Sequence, residues 1–261
     1  MSPLPASEFG PERLSTDWLR NQENSGDPWI LEATNSDDPG HRDAFIGNGF
    51  LGQRFNTRGE ASCLMSGDNP VPGGCLVHGL WGDISLMPAP QWATLSFNDG
   101  TAEFAPGIGQ WENYRQRLDL RTGTLATELT WRNGPRQTRI STMAYVSRAR
   151  PQVCLLSRTL VPNYSGTVSV TDSLDGAFID DARDWRFTNG KTSGAPLSIQ
   201  LRMGPRDRQV AVLSRLSLEG IEAETLEPTQ TEKSVRRKIS FPVAAGSAYT
   251  VTKSVARVTD A

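Results

Sequence analysis

The feature that most constrains the fold of this chain is the two-residue period of its apolar side chains after residue 90. Leu125, Leu129 and Trp131, for example, fall on one face of a segment whose intervening residues are mostly polar. A period of two is that of a β-strand with one buried face. No segment keeps a helical period of 3.6 residues over three turns. The 24 glycines and 17 prolines add frequent turns instead of long helices.

This alternation predicts a series of strands separated by turn signals. The predicted strands are 91–97, 125–131, 139–146, 152–161, 166–171, 197–203, 209–218, 234–241 and 248–258. Asn98-Asp99-Gly100 and Asn133-Gly134 have the composition of tight turns between antiparallel strands. The sequence therefore predicts an all-β protein, formed by two antiparallel sheets packed face to face.

The stretch AFIGNGFLGQRFNTRGE places Gly47, Gly49 and Gly52 within six residues. GNGFLG matches the G-x-G-x-x-G dinucleotide-binding motif. That motif binds pyrophosphate only where it leads a strand into a helix, and the polar QRFNTRGE that follows does not predict a helix. We therefore expect no cofactor. We interpret Gly47, Asn48, Gly49, Gly52 and Arg54 as a structural motif at a tight connection between strands.

Charge and composition argue against several classes of partner. The net charge of −2 does not favour nucleic acid, and no apolar run approaches the ~20 residues of a membrane span. The N-terminus lacks the apolar region of a signal peptide, which favours a cytoplasmic protein. The three cysteines, Cys63, Cys75 and Cys154, lack C-x-x-C spacing. With His41 and His78 as the two histidines, and His41 expected to be exposed in a polar loop, we expect no metal site.

Six short motifs follow one another along the chain. They are WILE at 29–32, AFIGNGFLGQR at 44–54, LMP with QW and FNDG at 86–100, YRQRLDLRTGTL at 114–125, SLDG at 173–176 and KSVARVTD at 253–260. In this order they resemble the N-terminal region of glycoside hydrolase family 65. That family includes maltose, trehalose and kojibiose phosphorylases and acid trehalases. The resemblance covers the chain from residue 29 to its C-terminus.

The resemblance implies a large β-supersandwich of the galactose-mutarotase type. In the family, an (α/α)6 barrel with the catalytic glutamate follows this region. We therefore expect residues 1–261 to form a single N-terminal domain, with the catalytic barrel and the catalytic residues absent from this chain. The implied enzyme hydrolyses or phosphorolyses an α-linked glucose disaccharide or another α-glucoside, and this domain would scaffold its barrel. The expected partners are that substrate, bound through the missing domain, and a second copy in a homodimer.

The long Gly- and Pro-rich segment 66–90 is expected to border an active site or an interface. It contains His78, Trp81 and Asp83, whose side chains suit contact with a sugar. Two alternatives remain open. One is a stand-alone carbohydrate-binding module that uses Trp81, Trp92 or Trp111 as a stacking platform. The other is an aldose epimerase-like enzyme whose acid/base group is His78.

Two charged clusters are interpreted as solvated. The acidic cluster of Asp180, Asp181 and Asp184 is interspersed with arginines and is expected to neutralise itself in a loop. The run Arg-Arg-Lys at 236–238 lies in a predicted strand, is too short for a nucleic-acid patch and is expected to be exposed on both strand faces.

Overall fold

The computed structural model of the chain describes residues 26–62, 64–66, 69–71, 76–77, 87–179, 182–189, 195–203, 207–221 and 225–260. All the regular elements in these residues are β-strands. The described part of the chain includes no helix with the length and apolar character needed to cross a bilayer.

The described residues form nineteen strands. In chain order they are β1 (Ile30–Ala33), β2 (Ala44–Gly47), β3 (Leu51–Phe55), β4 (Leu64–Ser66), β5 (Asn69–Val71), β6 (Leu76–Val77), β7 (Met87–Pro88), β8 (Leu95–Asn98), β9 (Gln110–Asp119), β10 (Thr124–Asn133), β11 (Arg136–Val146), β12 (Val153–Pro162), β13 (Gly166–Asp175), β14 (Ala182–Thr188), β15 (Leu197–Met203), β16 (Arg208–Glu219), β17 (Thr225–Gln230), β18 (Ser234–Val243) and β19 (Tyr249–Thr259).

The largest sheet has nine strands in the order β1-β9-β10-β11-β12-β19-β16-β15-β14. Its neighbours pair antiparallel throughout. The predicted turn at Asn133-Gly134 joins β10 to β11, and Gly134 has the positive φ of 59° that such a turn requires. After β12 the chain crosses to the four-stranded sheet as β13 and returns to the nine-stranded sheet as β14, β15 and β16. The last strand, β19, lies between β12 and β16.

A four-stranded sheet, in the order β17-β18-β13-β8, packs against the nine-stranded sheet. Phe97 of β8 meets Trp131 of β10 edge to face, with ring centroids 5.9 Å apart. Val170 of β13 and Ile239 of β18 are fully buried in the same core. Alternate residues of the long strands are buried, as in β12, because one face of each sheet lines this core. The predicted all-β antiparallel sandwich is thus confirmed.

A smaller sheet, in the order β2-β3-β6-β7, adds to the same core. Ile46, Leu51 and Phe55 are buried there, and the Phe55 ring meets that of Trp92 edge to face at 6.2 Å. The β2–β3 part of this sheet places the glycine-rich stretch beside the edge of the nine-stranded sheet, where β2 contacts β10 and β11.

The first predicted strand, 91–97, begins too early, because β8 starts at Leu95. Gln91 instead exchanges backbone hydrogen bonds with Asp175, and the Trp92 side chain fills the core. The strand β9 was not predicted. Asn113, with a φ of +54°, and the shift of the β9–β10 register nearby interrupt the two-residue period of β9.

Candidate functional site

The glycine-rich stretch forms a hairpin in which β3, and not a helix, follows the turn. Gly49 has a φ of +88° at this turn. The Asn48 carboxamide oxygen accepts hydrogen bonds from the backbone N–H groups of Phe50 and Leu51, both at 3.0 Å. Its Nδ2 donates to the carbonyl oxygens of Ser147 at 2.7 Å and Pro151 at 2.9 Å. Asn48 therefore closes the turn and fastens it to the β11–β12 connection.

The outer face of this hairpin carries one large apolar side chain above two glycines. The Phe45 ring is 49% exposed. A Cβ atom on Gly52 would overlap Cζ of Phe45, and one on Gly47 would lie 3.3 Å from Cε1 of the same ring. Arg54 pairs with Phe45 across the hairpin. The glycines are thus needed for close approach of the ring as well as for the turn.

A groove lies between the outer edge of β2 and the nine-stranded sheet, and we call it the β2 groove. One part, of about 300 Å³, lies between His41 and Phe45 on one side and Gln116, Leu118 and Leu125 on the other. The other part, of about 530 Å³, extends from Phe45 past the glycine turn to the β9–β10 turn. Its charged lining residues are the arginines at 121 and 148.

His41 is half-buried at one end of the β2 groove, which corrects the expectation that it is exposed. Burial lowers the pKa of His41 below its ordinary value, and nearby Asp43 and Asp38 only partly oppose this. The Nε2 atom of His41 is buried and forms no hydrogen bond within the described part of the chain. Burial, followed by the charge of Asp43, raises the pKa of the Tyr114 phenol. The groove therefore holds a half-buried imidazole close to the acidic side chain of Asp43.

A second cleft, of about 470 Å³, is lined by Trp111, Asp37 and Glu112 together with Ser36, Thr57, Gln110 and the segment 106–109. The Trp111 ring is half-buried and packs on Phe104, with centroids 5.0 Å apart. Trp92, the other described tryptophan suggested as a sugar platform, is completely buried and cannot stack on a ligand. That suggestion was therefore wrong for Trp92.

The three candidate sugar-contacting residues, His78, Trp81 and Asp83, lie outside the described residues. Cys63, Cys75, Asp180 and Asp181 also lie outside them. Of the acidic cluster the structure describes Asp184, which is exposed and lies 3.7 Å from the Nε atom of Arg202. Within the described ranges no three His, Cys, Asp or Glu side chains are grouped so as to hold a metal ion.

Charged side chains that the sequence places on solvated strands are instead buried between the sheets. Lys253 Nζ lies 2.7 Å from Asp172 Oδ1, and Arg237 Nη2 lies 2.9 Å from Asp172 Oδ2. Ser214 Oγ donates to Asp172 Oδ2 at 3.0 Å. Arg237 is completely buried, so the prediction that the whole run 236–238 is exposed was wrong for this residue. Its neighbours Arg236 and Lys238 are exposed, because successive strand residues point to opposite faces.

A second buried pair joins β12 to the segment after β3. Arg158 Nη1 lies 2.7 Å from Glu60 Oε1, and both side chains are almost fully buried. Burial lowers the pKa of Lys253 and that of Arg158, while their carboxylate partners oppose this. A general acid or base must touch its substrate. These ions are buried and cannot touch a substrate. Their geometry is therefore that of ion pairs that join packed elements, and not that of catalytic groups.

The sequence profile described as "Glycosyl hydrolase family 65, N-terminal domain" matches residues 34–261. Two uncharacterised glycosyl hydrolases, from two strains of Mycobacterium tuberculosis, are each 34% identical to this chain over 170 residues, or 58% of it. The chain spans 12% of the length of these relatives. The solved structure of a putative kojibiose phosphorylase from the human microbiome superposes with a TM-score of 0.71 at 13% identity. The superposition covers 92% of this chain and 33% of that one.

Proposed function

The chain belongs to glycosyl hydrolase family 65 through the N-terminal domain of that family, and on this premise we propose that it is the non-catalytic domain of a larger enzyme. The enzyme would hydrolyse or phosphorolyse an α-linked glucose disaccharide or another α-glucoside. The observation that carries the proposal is the family match over residues 34–261, and the superposition on a third of a putative kojibiose phosphorylase supports it. In this view the β-sandwich is a scaffold on which a catalytic domain is held.

The chemistry of the described residues supports a scaffold. Cleavage of a glycosidic bond needs a carboxylic acid on one side of the sugar and a second carboxylate, or phosphate, on the other. Two of the buried carboxylates, Asp172 and Glu60, are bound by cations and closed off from solvent. Neither of these two carboxylates is placed to protonate a bound sugar.

An assay of the chain by itself tests this role. Trehalose, maltose and kojibiose are each incubated with the protein, with and without phosphate, and released glucose and glucose 1-phosphate are measured. We expect no turnover above that of a boiled sample. Robust turnover of any of the three sugars would contradict the proposal.

Carbohydrate binding by the isolated domain is a second candidate, favoured by the cleft beside Trp111. The cleft combines an indole ring with carboxylate and hydroxyl side chains, as sugar sites do. Titration of the intrinsic fluorescence with glucose and the three disaccharides discriminates between the two candidates. Saturable quenching that is lost in Trp111→Phe supports binding, and an unchanged spectrum supports a scaffold alone.

A further inference from the structure

The smaller part of the β2 groove, which we call the His41 cavity, is associated with two buried polar atoms that lack a partner. Nε2 of His41 and the hydroxyl oxygen of Tyr114 form no hydrogen bond within the described part of the chain. His41 lines the cavity, and Tyr114 is only 7% exposed. A buried polar atom without a partner costs stability, and in native structures it commonly marks the place of a ligand or an ordered water.

Tyr114 faces the same space as His41. Tyr114, Gln116 and Leu118 are alternate residues of β9 and so share one face of the strand, and the last two line the His41 cavity. Burial, and then the charge of Asp43, raises the pKa of the Tyr114 phenol. Burial lowers the pKa of His41, and the charge of Asp43 opposes this. Because Asp43 also lines the cavity, the imidazole, the carboxylate and the phenol lie around one space.

One wall of the His41 cavity is apolar. Leu118 of β9 is the register partner of Leu31 on β1 and of Leu125 on β10, so the three side chains form a continuous surface. All three line the cavity, whose volume is about 300 Å³. An apolar wall with a few convergent polar groups is the usual arrangement of a small-molecule site, and this volume is at the lower end of the range for such sites.

The polar groups of the His41 cavity favour a neutral ligand that is rich in hydroxyl groups. Asp38 and Asp43 near the imidazole disfavour an anion, and Arg42 disfavours a cation. A hydroxyl group both donates and accepts, so it can pair with Nε2 of His41 in either tautomer and with the Tyr114 phenol. A sugar ring combines such hydroxyls with a C–H face that suits the leucine wall.

We propose that the His41 cavity binds a single hexose, with ring hydroxyls on Nε2 of His41 and on the Tyr114 hydroxyl. The C–H face of the sugar ring packs on Leu31, Leu118 and Leu125. The small volume suits one ring and not a longer oligosaccharide. This site is separate from the Trp111 cleft, and its existence does not depend on the proposed scaffold role.

Proton NMR of the full chain, titrated with D-glucose at constant pH and ionic strength, tests the site. The imidazole Cε1–H resonance of His41, assigned with His41→Gln, is expected to shift saturably. Tyr114→Phe removes only the unpaired hydroxyl, so the variant is expected to fold and to bind glucose ~3–10-fold more weakly. Because this variant retains His41, the same resonance reports its affinity.

Two controls accompany the titration. Tyr164→Phe also removes one tyrosine hydroxyl, but that hydroxyl shares a hydrogen bond with the Thr138 hydroxyl at 3.2 Å, and Tyr164 does not line the His41 cavity. It is expected to leave the affinity for glucose unchanged. Sodium acetate, an anion without a hydroxyl group, is expected to cause no saturable shift.

Three outcomes would overturn the proposal. The first is the absence of a saturable shift of the His41 resonance; quenching of tryptophan fluorescence by glucose in that case would assign the sugar to the Trp111 cleft. The second is an unchanged affinity for glucose in Tyr114→Phe. The third is a saturable shift with acetate, which would identify an anion site. The scaffold role is tested by sugar turnover, so each of these failures is distinguishable from a failure of that role.

Discussion

At the scale of single residues, Asp172 is the carboxylate on which the join between the two main sheets depends. Its two carboxylate oxygens pair with Lys253 and Arg237, and all three side chains are completely buried. Asp172→Asn removes the carboxylate that pairs with two buried cations, so we expect the free energy of unfolding to fall by ~3–5 kcal/mol. Urea denaturation measures this. The matched control is Asp175→Asn, at the exposed pair with Arg236, for which we expect a loss of ~0–1 kcal/mol. Equal losses in the two variants would argue against the assigned role.

Arg257 differs from the other buried cations because no carboxylate of the described residues forms an ion pair with it. It is completely buried, and within the described ranges its guanidinium nitrogens form no hydrogen bond. A buried unsatisfied group costs ~1–3 kcal/mol, and more when it is charged. We therefore expect Arg257→Met to raise the free energy of unfolding by ~1–3 kcal/mol. The same substitution at Arg158 removes one of the two arginine partners of the buried Glu60 carboxylate, the other being Arg58 at 3.3 Å, and is expected to lower the free energy of unfolding by ~3–5 kcal/mol. Destabilisation by Arg257→Met would contradict this account.

His41 is expected to make stability depend on pH. Its folded-state pKa is lowered from 6.5, chiefly by burial, so the unfolded chain takes up a proton first as the pH falls through 6.5. The stability that neutral His41 provides is thus present above pH 6.5 and is lost as the pH falls toward the folded-state pKa. NMR titration of the imidazole Cε1–H, assigned with His41→Gln, should give a midpoint below 6.5. The stability of the His41→Gln variant should also lose this part of the pH dependence. An imidazole midpoint at or above 6.5 would contradict the expected contribution of His41 to stability.

The sequence revealed buried apolar residues more readily than buried charges. The period of two identifies Val210 and Val212 as inward-facing, and both are fully buried. The same period places Arg237 on the face opposite to Arg236 and Lys238, and this was the available signal for its burial. Its partner Asp172 lies 65 residues earlier. A sequence does not show which distant carboxylate will pair with an inward-facing arginine. The charge of Arg237 by itself therefore led to the prediction that its side chain is exposed to solvent.

At the scale of elements, the β2–β3 hairpin depends on two glycines for different reasons. A Cβ on Gly52 would overlap the Phe45 ring, whereas Gly49 has open space but a φ of +88°. We expect Gly52→Ala to cost ~1–3 kcal/mol through this overlap. In a Phe45→Ala background most of that cost should disappear, giving a coupling energy of at least ~1 kcal/mol.

Gly49→Ala is the matched control for this cycle. Its cost of ~1–2 kcal/mol comes from backbone conformation, so removal of the Phe45 ring should not reduce it. Thermal unfolding measures both couplings. The two glycine variants are compared with the natural protein, and the two double variants are compared with Phe45→Ala. Coupling of the same size at Gly49 and Gly52 would show that the ring is not the cause.

Strands with a regular period were predictable, and irregular ones were not. β10, β12 and β19 keep their alternation over ten or eleven residues and match the predicted segments closely. β14 is mostly exposed, so no apolar face marks it in the sequence. The glycine-rich motif was predictable as a tight connection between strands. Its tie to the β11–β12 connection was not, because Asn48 bonds residues about a hundred positions away.

At the scale of the whole molecule, the expectation of a single domain leads to a test of cooperativity. Chains of this length often unfold in steps. Here, however, Lys253 and Asp172 join the two main sheets through buried charges, and Phe97 meets Trp131 across the same core. Arg158 also donates to the Leu95 carbonyl oxygen on the opposite sheet. Separation of either sheet would leave buried ions unpaired, which costs several kcal/mol.

We therefore expect the described sheets to unfold in one transition. Far-UV circular dichroism follows the strands and tryptophan fluorescence follows the core, and in urea the two should give the same midpoint and the same dependence on denaturant. In Asp172→Asn the join is weakened, so the common midpoint should fall to lower urea while the two probes still coincide. Separate midpoints in the natural sequence would show that the sheets are independent units, and a single domain over residues 1–261 would then be wrong.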